Sequence, residues 1–157
     1  MEYNNPFMLG KIKTVKGCAS RPHSGDNRSI IIINSVSGEY EGTEIVKGNA
    51  AIAKIYPKAK EKYRAWWRNQ QGFKLGEFQA TQVQSDTEII NLLIADDAEV
   101  INEGAVKGGL NKLGTHLSQN RLNAHINKLD NEDEWALVEA GLKEYLAKRG
   151  VNVTVYE

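Results

Sequence analysis

Residues 29–57 read SIIIINSVSGEYEGTEIVKGNAAIAKIYP, and the division of this stretch into elements decides the fold. Ile30, Ile31, Ile32 and Ile33 form an unbroken β-branched run, too short for a helix, which marks a strand covered on both faces. It reads as a central strand. The small polar residues Asn34, Ser35, Ser37 and Gly38 follow, and their size leaves backbone N–H groups open. The loop then runs on to Lys47, Gly48 and Asn49. Ala50, Ala51, Ile52 and Ala53 open a helix. That places Gly48 and Asn49 at a helix N-terminus, where unpaired N–H groups and the positive dipole end favour a phosphate. A strand, loop and helix in this order build the ligand crevice of α/β proteins, although a plain connection with an ordinary glycine has the same pattern.

The 157 residues suit one domain, residues 1–157, long enough to bury roughly two-thirds of the unfolded surface. Lys plus Arg (20) balance Asp plus Glu (20), so no global field draws the protein to nucleic acid or to an anionic membrane. Any anionic ligand must be held by local groups. Cys18 is the single cysteine and forms no internal disulfide, and no apolar run approaches a membrane span, so a cytoplasmic protein is expected. Cys18 and His23 lack an acidic orienter, which argues against a nucleophile there. His23, His116 and His125 have no metal-ligand spacing with any cysteine, and no metal or cofactor is expected.

Outward from the central stretch, residues 7–15 alternate weakly and predict a strand near a sheet edge, and residues 17–28 carry turn chemistry and read as a surface loop. Downstream, Pro57 divides residues 48–70 into a short helix to Tyr56 and a second from Pro57 to about Asn69. On the second helix Tyr63, Trp66 and Trp67 lie among Lys58, Lys60, Lys62, Arg64 and Arg68. That pattern suits stacking on single-stranded nucleic acid, but the aromatic spacing fits a core-facing stripe better. Residues 77–84 alternate as a strand, and residues 88–95 form a second buried strand ending at Asp96 and Asp97. Adjacent carboxylates on a strand point to opposite faces, so Asp96 and Asp97 read as a solvated loop or helix start.

Residues 99–120 predict a helix in which Gly104, Gly108, Gly109 and Gly114 permit close packing, and residues 121–126 a short strand. The segment 135–149 is the clearest helix, with Asp133 and Glu134 in its first turn and Gly150 as its stop. Residues 151–156 alternate as a closing strand. The element order favours an α/β fold, a mixed central sheet of about six strands with helices on both faces.

Several runs together resemble a macro domain, the ADP-ribose-binding α/β module, and most closely its compact subgroup of terminal ADP-ribose glycohydrolases and ADP-ribose-1″-phosphate phosphatases. They are residues 33–38 (INSVSG), residues 51–57 (AIAKIYP) leading into Tyr63, Leu75-Gly76-Glu77, residues 89–92 (IINL), Trp135 with its helix, and residues 153–156 (VTVY). The resemblance covers nearly the whole chain and implies a three-layer α/β/α macro-like fold.

By this resemblance the ligand would meet Lys11, Asn34, Ser37, Gly38, Lys47, Gly48, Asn49, Ala50, Asn127 and Asn131, with Asp130 as the candidate catalytic residue. The departures fall on these same positions. Where the family carries Gly-Asp-Ile, whose aspartate accepts from the adenine amino group, the matching run is Gly10-Lys11-Ile12, and lysine offers no acceptor. The first phosphate loop keeps only Gly48, beside Asn49 and Ala50. The second is represented by residues 127–131 (NKLDN), without glycine. The lysine that some relatives use after the fourth strand is replaced by Asp96 and Asp97, and Ser37 stands where many hydrolytic relatives place asparagine. The resemblance therefore implies a divergent module that binds an ADP-ribose-like nucleotide or an ADP-ribosylated macromolecule without efficient catalysis. One alternative is an ADP-ribosyl hydrolase or phosphatase using Asp130. The other is a protein-interaction or inhibitor module that has lost its ligand site.

Overall fold

The computed structural model describes residues 9–23, 25–40 and 49–157. Its order is β1 (Ile12–Val15), β2 (Arg28–Ser35), α1 (Asn49–Ile55), α2 (Pro57–Asn69), β3 (Phe78–Gln84), β4 (Thr87–Ala95), α3 (Glu103–Asn120), β5 (Asn123–Asn127), α4 (Glu132–Gly141) and β6 (Val153–Tyr156). The six strands make one sheet in the order β1-β6-β5-β2-β4-β3, in which β3 alone is antiparallel to its neighbour. This is the mixed six-stranded sheet read from the sequence.

The isoleucine run explains the layers. Successive strand residues face opposite ways, so Ile30 and Ile32 pack with Ile89, Leu93, Ile52, Ala59 and Tyr63 on the face covered by α1 and α2. Ile31 and Ile33 pack with Ile90, Leu92, Leu110, Leu113, Trp135 and Val138 on the face covered by α3 and α4. β2 and β4 are neighbours and wholly interior apart from Arg28, as their unbroken apolar runs require. β1 lies at the sheet edge as expected and is shorter than the reading of residues 7–15, of which Phe7 and Met8 lie outside the described residues.

Helix boundaries follow their caps. The Asn102 side chain accepts from the Ala105 N–H at 2.8 Å to start α3, and Asn131 accepts from the Glu134 N–H at 2.9 Å to start α4. Beyond Gly141 the helix continues as a π-helical turn over Leu142–Leu146 and a 3₁₀ turn over Ala147–Arg149, then stops at Gly150, whose φ of 86° is left-handed. The wider turn coincides with a close approach: a Cβ on Gly114 would stand 2.0 Å from the Tyr145 carbonyl oxygen. α3 and the π turn touch backbone to backbone there.

One aromatic departs from the expected stripe. α2 buries Ala59 and Tyr63, but Trp66 is only half-buried and Trp67 is 39% exposed. With 3.6 residues per turn, two consecutive tryptophans cannot both face the core, and Trp67 falls on the flank. No helix among the described residues is long and apolar enough to cross a membrane.

Candidate functional site

β1, β6, β5, β2 and β4 all run parallel, so their C-terminal ends form one rim at Val15, Tyr156, Asn127, Ser35 and Ala95. From β2 the chain leaves toward α1 and α2 on one face, whereas from β5 it leaves toward α4 on the other. The two exits diverge between neighbouring strands, and such a switch point at the strand ends is the place where open α/β sheets hold ligands.

The β2 wall is held from below. The Tyr63 hydroxyl donates to the Ser35 carbonyl at 2.7 Å and accepts from the Gly38 N–H at 3.1 Å. Ser35 Oγ donates to the Asp96 carbonyl at 2.7 Å and accepts from the Ser37 N–H at 2.9 Å, and Ser37 Oγ accepts from the Glu39 N–H at 3.2 Å. The amides of Ser37, Gly38 and Glu39 therefore all have internal acceptors, contrary to the open N–H groups expected of this turn. Gly38 is required on two counts: its φ is 90°, and a Cβ would meet the Trp67 ring at 2.5 Å. Below the turn, Asn34 donates to Asn91 Oδ1 at 2.9 Å, while its own Oδ1 is buried without a hydrogen-bond partner.

The β5 wall has a different character. Asn127 Oδ1 accepts from the Ala19 N–H at 2.8 Å, and its amide lies 3.7 Å from Cys18 Sγ. The Lys128 N–H donates to the Tyr156 carbonyl, Leu129 is buried in the core, and Asp130 is exposed just before the Asn131 cap. None of residues 127–131 has a positive φ. α4 opens on Glu132, Asp133 and Glu134, carboxylates that already satisfy the positive end of its dipole.

The structure brings Asn34, Ser37, Gly38, Asn127, Asp130 and Asn131 to the rim. Asn49 and Ala50 open α1, and Lys47 and Gly48 lie outside the described residues. Lys11 is not with them. Its N–H donates to Asn152 Oδ1 at 3.0 Å and its carbonyl accepts from Val153, so it sits where β1 begins, at the opposite end of the sheet. The chain reaches the rim only after Val15, and the residues there are Gly17, Cys18 and Ala19, which the sequence pattern places in a surface loop without a role. A glycine directly after an edge strand is the signal that could have found them. Asp96 serves the turn after β4, where its Oδ1 accepts from the N–H groups of Ala98 and Val100 at 2.9 and 3.0 Å. Among the described residues no cluster of His, Cys, Asp and Glu is arranged to hold a metal ion.

No family model matches the sequence, and among curated proteins none matches it. Solved structures do. A macrodomain protein from Streptomyces coelicolor superposes with a TM-score of 0.85 at 23% identity, over 94% of this chain and 99% of that one. The chain has the macrodomain fold. A protein of unknown function from Bacteroides thetaiotaomicron matches this chain at 24% identity and a TM-score of 0.83, over 94% of this chain and 98% of that one. The macrodomain of Thermus aquaticus DarG matches at 19% and 0.73, over 94% and 99%. Within this fold the chain holds Cys18, not Lys11, in the loop that follows the edge strand at the rim, and the second rim loop is an acidic helix entry without glycine.

Proposed function

We propose that the rim crevice between the ends of β2 and β5 binds an ADP-ribose-like nucleotide and that the protein does not hydrolyse ADP-ribosylated substrates efficiently. The observation that carries this reading is the macrodomain fold over nearly the whole chain, with the β2 and β5 exits diverging at the rim. The bound pose differs from the one the family resemblance implies. A pyrophosphate placed against the β5 loop would face Asp130, Glu132, Asp133 and Glu134 on a backbone with no left-handed residue to cradle it. The β2 side, with Ser37, Gly38, Asn49 and Ala50, is the wall left to hold it. Cys18 replaces a carboxylate acceptor near the adenine end with a weak one, which lowers selectivity for that base.

The same acidity argues against turnover. Asp130 acts among three further carboxylates with no lysine on the β4 loop, and a reacting centre displaced by about 1 Å loses on the order of a hundredfold in rate. Calorimetry with ADP-ribose, its 1″-phosphate and NAD tests binding. Release of ADP-ribose from modified protein or DNA, wild type against Asp130→Ala, tests catalysis. Heat with ADP-ribose and no release is the expected result. No binding to any of the three leaves an interaction module in place of this reading. Robust release that is lost in Asp130→Ala replaces it with a hydrolase.

A further inference from the structure

We propose that the pocket at the base of the sheet, between the β3–β4 turn and the C-terminal end of α3, binds a primary alkylammonium group with the Glu88 carboxylate as its counter-ion. The pocket lies at the opposite end of the strands from the rim, so the inference is independent of the reading above. Glu88 is the one acid in the interior run of β4, Thr87–Ala95, and it is only 7% exposed. Strand alternation puts it on the α3 face with Ile90 and Leu92, where a carboxylate is costly unless something matches its charge. Its partners are neutral. The Ser29 hydroxyl donates to Oε2 at 2.8 Å, and His116 Nε2 lies 2.7 Å from the same oxygen. The carboxylate can only accept, so the His116 proton is on Nε2, and the Asn120 amide donates to Nδ1 at 3.4 Å, which keeps the ring neutral. No lysine or arginine among the described residues pairs with Glu88, and its Oε1 has no hydrogen-bond partner among them.

Glu88 lines a pocket of about 230 Å³ with Asn27, Gln82, Ser85, Asp86 and Asn120. The groups left over there accept. Asn120 spends its amide N–H groups on the His116 carbonyl and ring, and Gln82 donates to the Gln84 carbonyl, so each keeps a carbonyl oxygen without a partner among the described residues. Asp86 is already matched, because it accepts from the Thr87 hydroxyl at 2.8 Å and lies 3.7 Å from Arg28. α3 adds to the negative side, since its last turn carries no basic residue to offset the end of its dipole. Glu88 Oε1, Gln82 Oε1 and Asn120 Oδ1 are thus unsatisfied acceptors, and a primary ammonium group is a cation with three N–H donors and no acceptor. A metal ion is a poorer match, because among the described residues no cluster of His, Cys, Asp and Glu is arranged to hold one. The space equals that of several waters, which leaves room for a stem of a few carbons against Leu122.

An NMR titration of the full chain tests the proposal, with 1,4-diaminobutane as a free amine and Nα-acetyl-lysine methylamide as the same group on a peptide unit. Saturable shifts at Glu88, Gln82 and Asn120 are expected with at least one of them, and which one binds tells a free amine from a lysine side chain. Butan-1-ol, which has a similar stem without the charge, should shift none of these signals. Glu88→Gln keeps an acceptor for Ser29 and His116 but removes the charge, and should weaken amine binding about tenfold or more. Gln82→Met, at an exposed position whose loss does not threaten the fold, should weaken it severalfold. Absence of saturable shifts with both amines overturns the proposal, as does equal binding of butan-1-ol. Full affinity in Glu88→Gln also overturns it, and so does displacement of the amine by an equal concentration of magnesium chloride, which would show a metal site.

Discussion

The Tyr63 hydroxyl donates to the Ser35 carbonyl at 2.7 Å, tying the middle of α2 to the last residue of the central strand. The same oxygen accepts from Gly38, so one buried phenol sets both the end of β2 and the turn that follows. Tyr63→Phe keeps the packing against Tyr40 and Phe73 but leaves a carbonyl and an amide without partners. A loss of about 1–3 kcal/mol in urea unfolding is expected. ADP-ribose affinity should fall with it, because the turn is no longer pinned. Unchanged stability would show that the phenol is a spectator.

Burial also pushes the Tyr63 hydroxyl up to about 12 from 10.0. Below pH 10 both states are protonated, and the contribution is fully present. Between about 10 and 12 the unfolded chain ionises while the folded one does not, so stability falls by about 1.4 kcal/mol per pH unit and is lost as pH passes the folded value. Urea midpoints of wild type and Tyr63→Phe, compared below and above pH 10, should converge as pH rises.

His125 is 1% exposed, and burial lowers its pKa from 6.5 despite Asp26 beside it. The contacts assign the proton. The Asp26 carboxylate can only accept, so Nε2–H faces it at 3.2 Å, and Nδ1 of the neutral ring accepts from the Tyr156 hydroxyl at 2.9 Å, whose oxygen also accepts from the His23 N–H. Because the unfolded chain takes up this proton first, stability should be full above about pH 6.5 and decline as pH falls toward the lowered folded value. His125→Leu should flatten the wild-type slope in that window and cost about 1–3 kcal/mol at neutral pH. A slope unchanged by the substitution would place the acid sensitivity elsewhere.

At Gly114 the contact is with backbone, 2.0 Å from the Tyr145 carbonyl to an added Cβ, and backbone cannot rotate aside. Gly114→Ala should therefore destabilise by about 1–3 kcal/mol, although alanine is the better helix former. Gly108, with nothing within 4 Å of an added Cβ, is the control: Gly108→Ala should stabilise by up to about 1 kcal/mol. Thermal melts of the pair separate packing from propensity.

Gly38→Ala tests the rim directly. The substitution strains a φ of 90° and drives a methyl into the Trp67 ring, so the melting temperature should fall and the tryptophan emission should shift. If the β2 wall holds the ligand, ADP-ribose affinity should drop more than tenfold in protein that is still folded at the assay temperature. Full affinity would move the ligand to the β5 side.

The interior strands are legible in the sequence because runs such as Ile30 to Ile33 have no other way to be satisfied than burial on two faces. The edge is harder. Residues 12–15 have one neighbour strand and only a weak alternation, so the pattern does not tell their start from their end, and matching Gly10-Lys11-Ile12 to Gly-Asp-Ile assigns Lys11 to the ligand when the rim begins beyond Val15. Trp67 is misplaced for a related reason: adjacent tryptophans satisfy a helical count equally well, and only the packing of Tyr63 shows which flank is inside. The π turn leaves no mark in the pattern, because its partner is the Gly114 backbone, 28 or more positions away in the chain.

β6 lies between β1 and β5, and every hydrogen bond that β1 makes to the sheet is to β6. During synthesis, Ile12 leaves the ribosome long before Val153, its register partner, exists. β1 must therefore wait as an unpaired edge while the β2–β4–β3 unit, whose strands are closer in sequence, is free to assemble. Closing a loop of this length is slow, and exposed strand edges invite intermolecular pairing. A nascent chain halted before Val153 should thus be the aggregation-prone species and the one that chaperones engage, with release of that engagement coinciding with the arrival of β6.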